Sequence, residues 1–518
     1  MTMDRRQFML ATATGVAGLA APTLLTRCAA GRVREEATVP QLIDLAPASY
    51  FESQFGVTPE LMREVIATAL ASGGDHCELY FQHSREASIG LEDGAVNRGS
   101  ATVDLGVGVR VIRGDQTGYA YTEELERESM LTAARAAAAI ADGPAGSAPK
   151  SFAVQTLENF YPTASWWSGI SVDRRMPLLD RLNTLTFGLD PRVKKVRASF
   201  YDEDRYILIA DSSGRLVADR LPMFALRLSC TLEDKGQIEE NYDAVSLRGG
   251  VDELKDERIE RLARTAVDRA ARNFGARKPP AGELPVVLAH GSSGILLHEA
   301  IGHGMEADFN RKGISIYAEK MNQPIAGKFV SIIDDATVPH YRGSINVDDE
   351  GSPGQRTVLV ENGVLRSYLH DRISAAHYRV PPTGNGRRES FRFAPIPRMR
   401  NTYMANGPHQ REEIIRSVKR GVICETFTNG EVNIGAGDFT FYVKNGYLIE
   451  DGKETAPIKD FNIIGNGPDV LSKVTMVGDD LKIDDSTWTC GKDGQGVPVG
   501  QGLPTCLVSS ITVGGVDA

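Results

Sequence analysis

The 518-residue chain has no stretch dense in lysine and arginine, and its formal net charge is −10. Proteins that hold the phosphate backbone of DNA or RNA depend on clustered basic residues. A nucleic-acid partner therefore has no electrostatic support, and none is expected. Hydrophobic residues make up 42% of the chain and charged residues 24%, which is ordinary for a globular protein.

The chain also lacks a comfortably long apolar run near its N-terminus, where targeting segments lie. An alanine- and glycine-rich stretch runs from Met9 to about Leu25, which is short for a membrane span. It follows Arg5-Arg6-Gln7-Phe8, and a twin arginine before such a stretch is typical of a twin-arginine export signal. We therefore expect residues 1–30 to be an export signal and the protein to be periplasmic.

Cysteine is scarce, and no two of the six cysteines form a C-x-x-C pair. Cys28 lies where a lipoprotein cysteine would lie, and its lipidation would tether the protein to the membrane, although Arg27 is a poor residue before such a site. The other five are Cys77, Cys230, Cys424, Cys490 and Cys506. An odd number in an exported protein leaves at least one thiol free or bound to a metal.

We predict an α+β fold with a linker at 31–50 and two domains, at 51–280 and 281–518. The Pro- and Gly-containing segment 276–282 is the best boundary. The N-terminal domain should hold an antiparallel sheet and helices. The C-terminal domain should be β-rich and barrel-like, with one metal-binding helix.

Local patterns place the main elements. A helix is expected over Thr58–Ala71, with Thr58 as its N-cap and Pro59 at its first position. The sequence predicts an antiparallel meander of separate strands, Cys77–Gln82, Glu86–Leu91, Ala101–Ile112 and Gly118–Thr122.

Later segments follow the same reasoning. The sequence predicts helices at Glu123–Ala141 and Glu253–Phe274, a second strand group at Lys195–Thr231 and a buried strand at Leu284–Ala289. Ser292 or Ser293 is expected to cap the helix that follows this last strand.

The most informative run is His298-Glu299-Ala300-Ile301-Gly302-His303, which reads H-E-x-x-x-H. In a regular α-helix, positions five apart point roughly 140° away from each other and cannot bind one ion. We therefore expect the helix to be irregular, or to end, at Ile301 to His303, where Gly302 permits either. Two imidazoles suit Zn²⁺ or a similar ion, and the chain has only nine histidines.

Glu299, beside the first histidine, has the place of a general base acting on a water molecule. A catalytic metal needs a third protein ligand, which spacing alone does not name. The candidates are Cys490, Glu306, Asp308, His290 and the run Asp348-Asp349-Glu350. Lys492 is near Cys490 in sequence and is interpreted as favouring its thiolate.

From about residue 50 to the C-terminus, the chain resembles the TldD branch of the TldD/PmbA family of metallopeptidases. The stretches that carry the resemblance are 106–112, 118–122, 293–304, 306–313, 348–351, 383–390, 397–403 and 489–495. The resemblance implies one divalent metal per chain held by His298, His303 and Cys490, with Glu299 as catalytic base. Zn²⁺ is expected, and Fe²⁺ also suits two imidazoles and a thiolate.

The resemblance also implies the substrates and the partner. Members of the family cut small or unfolded peptides, bound as an added strand. They pair catalytic with motif-less, PmbA/TldE-like subunits around a chamber, so a homodimer or such a heterodimer is expected. The family members associated with these motifs are cytoplasmic, whereas this chain begins with a predicted export signal, which leaves its substrate and partner open.

Other interpretations remain open at this point. Arg387 and Arg388 are candidate substrate ligands, and a structural salt bridge is the alternative. The run Asp348-Asp349-Glu350 is interpreted as a turn rather than a ligand set. The protein could instead hydrolyse another amide or a modified peptide, or be a non-catalytic subunit stabilised by metal.

Overall fold

The computed structural model describes residues 47–515. The predicted export signal, Cys28 and most of the predicted linker lie outside these residues. The first described helix begins at Pro47, inside the segment predicted as linker. Within the described residues, no helix combines the length and the apolar character needed to cross a membrane.

The helices are short and scattered among strands. In chain order they are α1 Pro47–Phe55, α2 Pro59–Ala69, α3 Arg127–Ala138, α4 Val172–Leu189, α5 Asp256–Asn273, α6 Ile295–Leu297, α7 Ala307–Arg311, α8 Arg372–Tyr378, α9 Arg411–Arg416 and α10 Gly467–Ser472. The predicted cap of α2 is confirmed, because the Thr58 hydroxyl accepts a hydrogen bond from the Leu61 amide at 3.2 Å.

Long strands build the N-terminal half. They are β1 His76–Glu92, β2 Ala95–Arg113, β3 Gln116–Thr122, β4 Ala153–Val154, β5 Val193–Asp211, β6 Arg215–Asp234 and β7 Gln237–Leu247. They form one sheet in the order β3-β2-β1-β5-β6, with both β4 and β7 on β6. All pairs except β4–β6 are antiparallel, as predicted, and α4 and α5 cover one face.

The prediction of two separate strands within residues 77–91 is wrong. The polar residues between them, His83, Ser84 and Arg85, continue a single strand, β1. This strand is paired along its length with β2 on one side and β5 on the other, so its backbone groups are satisfied whatever the side chains.

The second half contains many shorter strands. They are β8 Gly282–Leu288, β9 Ile332–Asp335, β10 Arg356–Glu361, β11 Val364–Leu365, β12 Gly386–Arg387, β13 Ile396–Pro397, β14 Asn401–Met404, β15 Arg420–Val432, β16 Asp438–Glu450, β17 Lys453–Asn466, β18 Val474–Val477, β19 Lys482–Asp484, β20 Thr489–Lys492, β21 Gln495–Pro498, β22 Gly500–Leu503 and β23 Cys506–Gly514.

Five of these strands close a barrel, which confirms the barrel-like prediction. The sheet runs β17-β16-β15-β8-β23, and β17 also pairs with β23. The segment that follows β8 packs on the same apolar core as the barrel: Leu296 and Ile301 are buried among residues such as Phe441 and Ile463. A second sheet, in the order β11-β10-β9-β14-β22-β19, lies beside the start of this segment.

A buried ion network joins the N-terminal sheet to the second half of the chain. It consists of Glu78, Arg110, Glu350 and Arg388. Arg110 pairs with both glutamates, and Arg388 Nη2 lies 2.7 Å from Glu78 Oε1. All four side chains are almost fully buried. Because buried charges need compensation, the network fixes how the two halves pack together.

We expect Arg388→Met to lower the free energy of unfolding by about 3–5 kcal/mol, because it leaves buried carboxylate charge short of a partner. Urea denaturation followed by tryptophan fluorescence measures the change. Arg392→Met is the matched control: Arg392 pairs with Asp104 at 2.7 Å but its side chain is 32% exposed, so about 0.2–1 kcal/mol is expected. Equal effects in the two variants would contradict a structural role for the network.

Candidate metal centre

The two motif histidines are aligned by a π-helical turn. It spans His298–Gly302, follows α6 directly and leads into a 3₁₀ turn at His303–Met305. The His303 amide donates to the His298 carbonyl, the i to i+5 pattern of a π-helix. Residues five apart therefore lie on one side, with ring centroids 5.0 Å apart. The predicted irregularity at Ile301 to His303 is confirmed.

Neighbouring side chains and close packing hold the wide turn. The Tyr317 hydroxyl donates to the Ala300 carbonyl at 2.9 Å, so one carbonyl of the turn has a side-chain partner. Gly302 makes a close contact: a Cβ there would lie 2.0 Å from Sδ of the buried Met399. The glycine is required by space rather than by its backbone angles, since its φ of −56° is helical.

The predicted capping of this segment by a serine is wrong. Gly291, with φ of 83°, precedes the first turn, and no side chain caps that turn. The Ser293 hydroxyl instead donates to the Cys424 carbonyl of β15, at 3.3 Å. The serine thus ties the segment to the barrel.

Cys490 approaches the histidines from a different part of the chain. It lies on β20, in a hairpin with β21 whose turn residues Asp493 and Gly494 have φ of 49° and 73°. Its Sγ is 3.4 Å from His303 Nε2. One ligand atom each from His298, His303 and Cys490 lies within 4.8 Å of the others, and all three residues are buried.

The cluster favours the protonation state of Cys490 that binds a metal. Burial opposes ionisation of Cys490, but the two imidazoles hold the pKa of its thiol well below the usual value. The thiolate is the form that binds metals. Glu306 Oε2 lies 3.0 Å from His303 Nδ1, which leaves Nε2 of that ring directed toward Cys490. Such a carboxylate partner orients an imidazole ligand. Burial opposes a charge on the His303 imidazole, but Glu306 and Cys490 raise its pKa, so an ion that binds this ring displaces a proton.

Glu306 is itself held ionised by its surroundings. Burial opposes its charge, but Lys492 and His303 lower the pKa of its carboxyl to about 2. Lys492 Nζ lies 3.2 Å from Glu306 Oε2 and 2.7 Å from Asp308 Oδ1. The interpretation that Lys492 favours the Cys490 thiolate is therefore wrong: its partners are carboxylates, and the imidazoles act on the thiol instead.

The donor set fits a divalent ion of the zinc or iron type. Two imidazoles and one thiolate suit Zn²⁺ or Fe²⁺. His298 Nδ1 is buried and has no hydrogen-bond partner among the described residues, so this ring is held less tightly than His303. Three protein ligands leave room for a water molecule or a substrate oxygen, as catalytic zinc sites require.

Glu299 faces the same cavity as the three candidate ligands. The cavity has a volume of about 820 Å³ and is lined by Glu299, His298, His303 and Cys490 together. Glu299 is half-buried, and burial raises the pKa of its carboxyl. A raised pKa suits a carboxylate that takes and returns a proton.

The other residues considered as third ligand lie elsewhere. Asp308 pairs with Lys492, and Nδ1 of His290, whose side chain is 45% exposed, lies 3.1 Å from the Asp480 carboxylate. The run 348–350 forms a turn, as interpreted: the Asp348 carboxylate accepts hydrogen bonds from the amides of Glu350 and Ser352.

Arg387 and Arg388 do not line the cavity of the metal centre. Arg388 belongs to the ion network described above, and its guanidinium also lies 4.3 Å from the Tyr80 ring centre. Arg387 Nη1 donates to the Met399 carbonyl at 2.6 Å, and burial lowers the pKa of Arg387 to about 9. Both arginines are buried, so the geometry favours structural roles over substrate binding: a salt bridge with Glu78 for Arg388 and a bond to a backbone carbonyl for Arg387.

Family profiles match most of the described chain. The PmbA/TldA metallopeptidase domain 1 matches residues 77–141, the central domain of that family matches 167–274, and its C-terminal domain matches 281–515. The last of these ranges contains both histidines and Cys490.

Individual relatives agree with the profiles. A metalloprotease TldD homologue of Buchnera aphidicola is 40% identical over 85% of this chain and 93% of its own length. A zinc metalloprotease TldD homologue of Saccharolobus solfataricus is 32% identical over 63% of this chain and 73% of its own. The crystal structure of TldE from Thermococcus kodakarensis shares the fold, with a TM-score of 0.69 and 20% sequence identity. The match covers 88% of this chain and 100% of the TldE chain.

We expect Gly302→Ala to lower zinc affinity by about 10- to 100-fold, as loss of an orienting contact does, because the new Cβ overlaps Met399 and shifts the π-helical turn. Competition with a chromophoric chelator measures the affinity. Gly491→Ala is the matched control, since a Cβ at Gly491, next to Cys490, meets no atom within 4 Å. Unchanged zinc affinity in Gly302→Ala would show that the site tolerates a different turn.

Proposed function

The chain belongs to the PmbA/TldD metallopeptidase family, and from this premise we propose that it hydrolyses small or unfolded peptides with one divalent metal ion and Glu299. The observation that carries the proposal is the cluster of His298, His303 and Cys490 in one cavity with Glu299. The zinc named for the Saccharolobus relative supports Zn²⁺ as the ion.

His298, His303 and Cys490 are proposed to hold the ion. The ion would supply Lewis acidity toward the scissile carbonyl and a water molecule. Glu306 fixes the orientation of the His303 ring through Nδ1. The apolar core beneath the π-helical turn, which includes Leu297 and Ile301, keeps the histidine backbone in place during turnover.

Glu299 is proposed to move the proton. Its carboxylate accepts a proton from the attacking water and then donates that proton to the nitrogen of the departing amine. Because its surroundings raise its pKa, taking the proton from the water requires less free energy than it would for an ordinary surface carboxylate. Glutamine at this position keeps the size of the side chain but cannot accept the proton.

The end of β15 is proposed to bind the peptide backbone. β15 is parallel to β8 and pairs with it only at Val422–Cys424. Beyond that point β16 is its one strand partner among the described residues. Thr428, Gly430 and Val432 in this part of β15 line the metal cavity. An extended peptide can add to such an edge through main-chain hydrogen bonds.

Two alternatives predict different behaviour. A hydrolase of another amide would use the same residues on a different substrate. A metal-stabilised, non-catalytic subunit would need the ligands but no base. The position of a half-buried carboxylate, Glu299, in the cavity of the metal cluster favours a catalytic role, since a purely structural site gains nothing from it.

We expect Glu299→Gln to retain metal but to lower kcat for unstructured peptides by at least about 100-fold, the usual scale of general acid–base catalysis. Metal content by mass spectrometry and cleavage of a pool of unstructured peptides are measured on the same preparations. Asp493→Asn is the matched control, because Asp493 lines the same cavity without a proposed role. Full cleavage by Glu299→Gln would rule out Glu299 as the general base, and no cleavage by the wild-type protein would end the peptidase proposal.

Ligand variants complete the experiment. His298→Ala together with Cys490→Ala should abolish metal binding, whereas His290→Ala should keep it, because His290 pairs with Asp480 outside the cluster. Metal retained by the double variant would show that the ion binds elsewhere.

We also propose that the chain is exported by the twin-arginine route and acts as a dimer, with itself or with a motif-less subunit of the same fold. The twin arginine Arg5-Arg6 supports export. Residues 95–106 of β2 support a subunit contact, because they pair with β1 alone among the described residues and are largely exposed. Cell fractionation followed by native mass measurement should find a periplasmic dimer, and a cytoplasmic monomer would contradict both parts.

A further inference from the structure

A second cavity adjoins the metal cavity and differs from it in charge. Its volume is about 450 Å³, within the range of ligand pockets, and it shares Arg227 and Thr489 with the metal cavity. Its charged lining residues are four arginines and two glutamates, Arg98, Arg205, Arg227, Arg342, Glu203 and Glu389. A local excess of positive charge is unusual in a chain with a net charge of −10.

Only one of these arginines is compensated directly. Arg205 Nε lies 2.6 Å from Glu203 Oε1, and the Glu389 carboxylate accepts a hydrogen bond from the Gly496 amide. Within residues 47–515, Arg98, Arg227 and Arg342 make no ion pair with a carboxylate. The cavity therefore offers guanidinium groups to an anionic ligand.

Arg342 is held in place next to the metal centre. Its Nε donates to the Trp488 carbonyl at 2.9 Å, and Nη1 donates to Ser246 Oγ at 2.7 Å. Nη2 donates to Thr489 Oγ1 at 3.2 Å, and Thr489 immediately precedes Cys490. All these acceptors are neutral. Burial lowers the pKa of Arg342 to about 10, which leaves it charged at neutral pH.

Arg227 lies where the two cavities meet. It is an exposed residue of β6, and its side chain lines both the metal cavity and the cationic cavity. Apart from the candidate ligands His298, His303 and Cys490, the other acidic and basic residues of the metal cavity are Glu299, Glu431, Asp493 and Lys492, and Lys492 is bound to carboxylates. Outside the ligand cluster, the charge of the lining side chains therefore changes from negative to positive at Arg227.

We propose that Arg227 and Arg342 form a subsite that binds a carboxylate of the peptide substrate beside the metal centre. The carboxylate is the C-terminus of a short peptide or the side chain of an aspartate or glutamate. Guanidinium groups suit either, because their planar N–H pairs match both oxygens of a carboxylate. The inference rests on the proposed peptidase function and names a substrate class for the same site.

Binding is measured separately from cleavage, on the metal-loaded full chain carrying Glu299→Gln, so that peptides bind without being cut. Four versions of one unstructured peptide are compared by isothermal titration calorimetry. They carry a free C-terminus or an amide, each with an internal glutamate or glutamine. A charge-assisted hydrogen bond should favour the preferred carboxylate by about tenfold or more in Kd.

The variants assign the effect to the subsite. Arg227→Gln should remove most of the preference by weakening the binding of the carboxylate-bearing peptide, without weakening the binding of the fully neutral peptide. Arg342→Gln should do the same. Because Arg227 is exposed, its variant is expected to fold even if the Arg342 variant does not. Arg420→Gln is the matched control: Arg420 is exposed and lines a different cavity.

Each outcome has a defined meaning. A preference for the free C-terminus or for the internal glutamate supports the subsite and identifies the source of the carboxylate. Equal Kd values for all four peptides overturn it, as does a preference that survives in both arginine variants. If the preference depends on Arg227 but the wild-type protein cleaves no peptide, the subsite stands and the peptidase function fails. If peptides are cleaved but all four bind with equal Kd, the peptidase function stands and the subsite fails.

Discussion

The π-helical turn at His298–Gly302 is the constraint on which the metal centre depends. An undistorted α-helix would direct the two imidazoles roughly 140° apart, and no later adjustment of side chains could bring both to one ion. The π-helical turn replaces the ordinary i to i+4 hydrogen bonds of an α-helix. Contacts with the surrounding fold offset the free energy that this costs. Tyr317 donates a hydrogen bond to the Ala300 carbonyl. A Cβ at Gly467 would lie only 2.3 Å from that oxygen, so the carbonyl is closely packed and has little room to move.

The second half of the site depends on a buried charge pair rather than on helix geometry. Cys490 reaches the histidines on a hairpin, and Lys492 of that hairpin bonds to Glu306, which in turn bonds to His303. Arg398 donates to the backbone carbonyls of Cys490 and Gln495, which fixes the hairpin itself. The helical segment, through His303, and the hairpin, through Lys492, therefore both bind the Glu306 carboxylate. Each of these buried charges offsets the desolvation cost of the others.

Much of the site could be predicted from sequence because its signals are local. The H-E-x-x-x-H spacing alone requires a helix distortion, and Thr58-Pro59 alone marks the start of α2. The contribution of Glu306 could not be predicted, because a carboxylate near two histidines can equally be a ligand or a partner of one. The α4 helix contains Pro177, which obscures its pattern. The partners of Lys492 and Arg388 lie up to 310 positions away, and only the packing of the two halves selects them.

In the proposed function, the machinery at the metal centre would act on groups that every peptide carries. The metal ion and Glu299 would act on the amide bond and the open edge of β15 on the backbone, so none of these would distinguish one peptide from another. Discrimination requires contacts that a wrong substrate leaves unmade. Arg227 and Arg342 are uncompensated charges directly beside that machinery, and a guanidinium without a counter-ion remains better solvated by water than by a neutral peptide. The same residues that attract a carboxylate therefore penalise its absence, which places selectivity in the cavity wall and leaves the chemistry general.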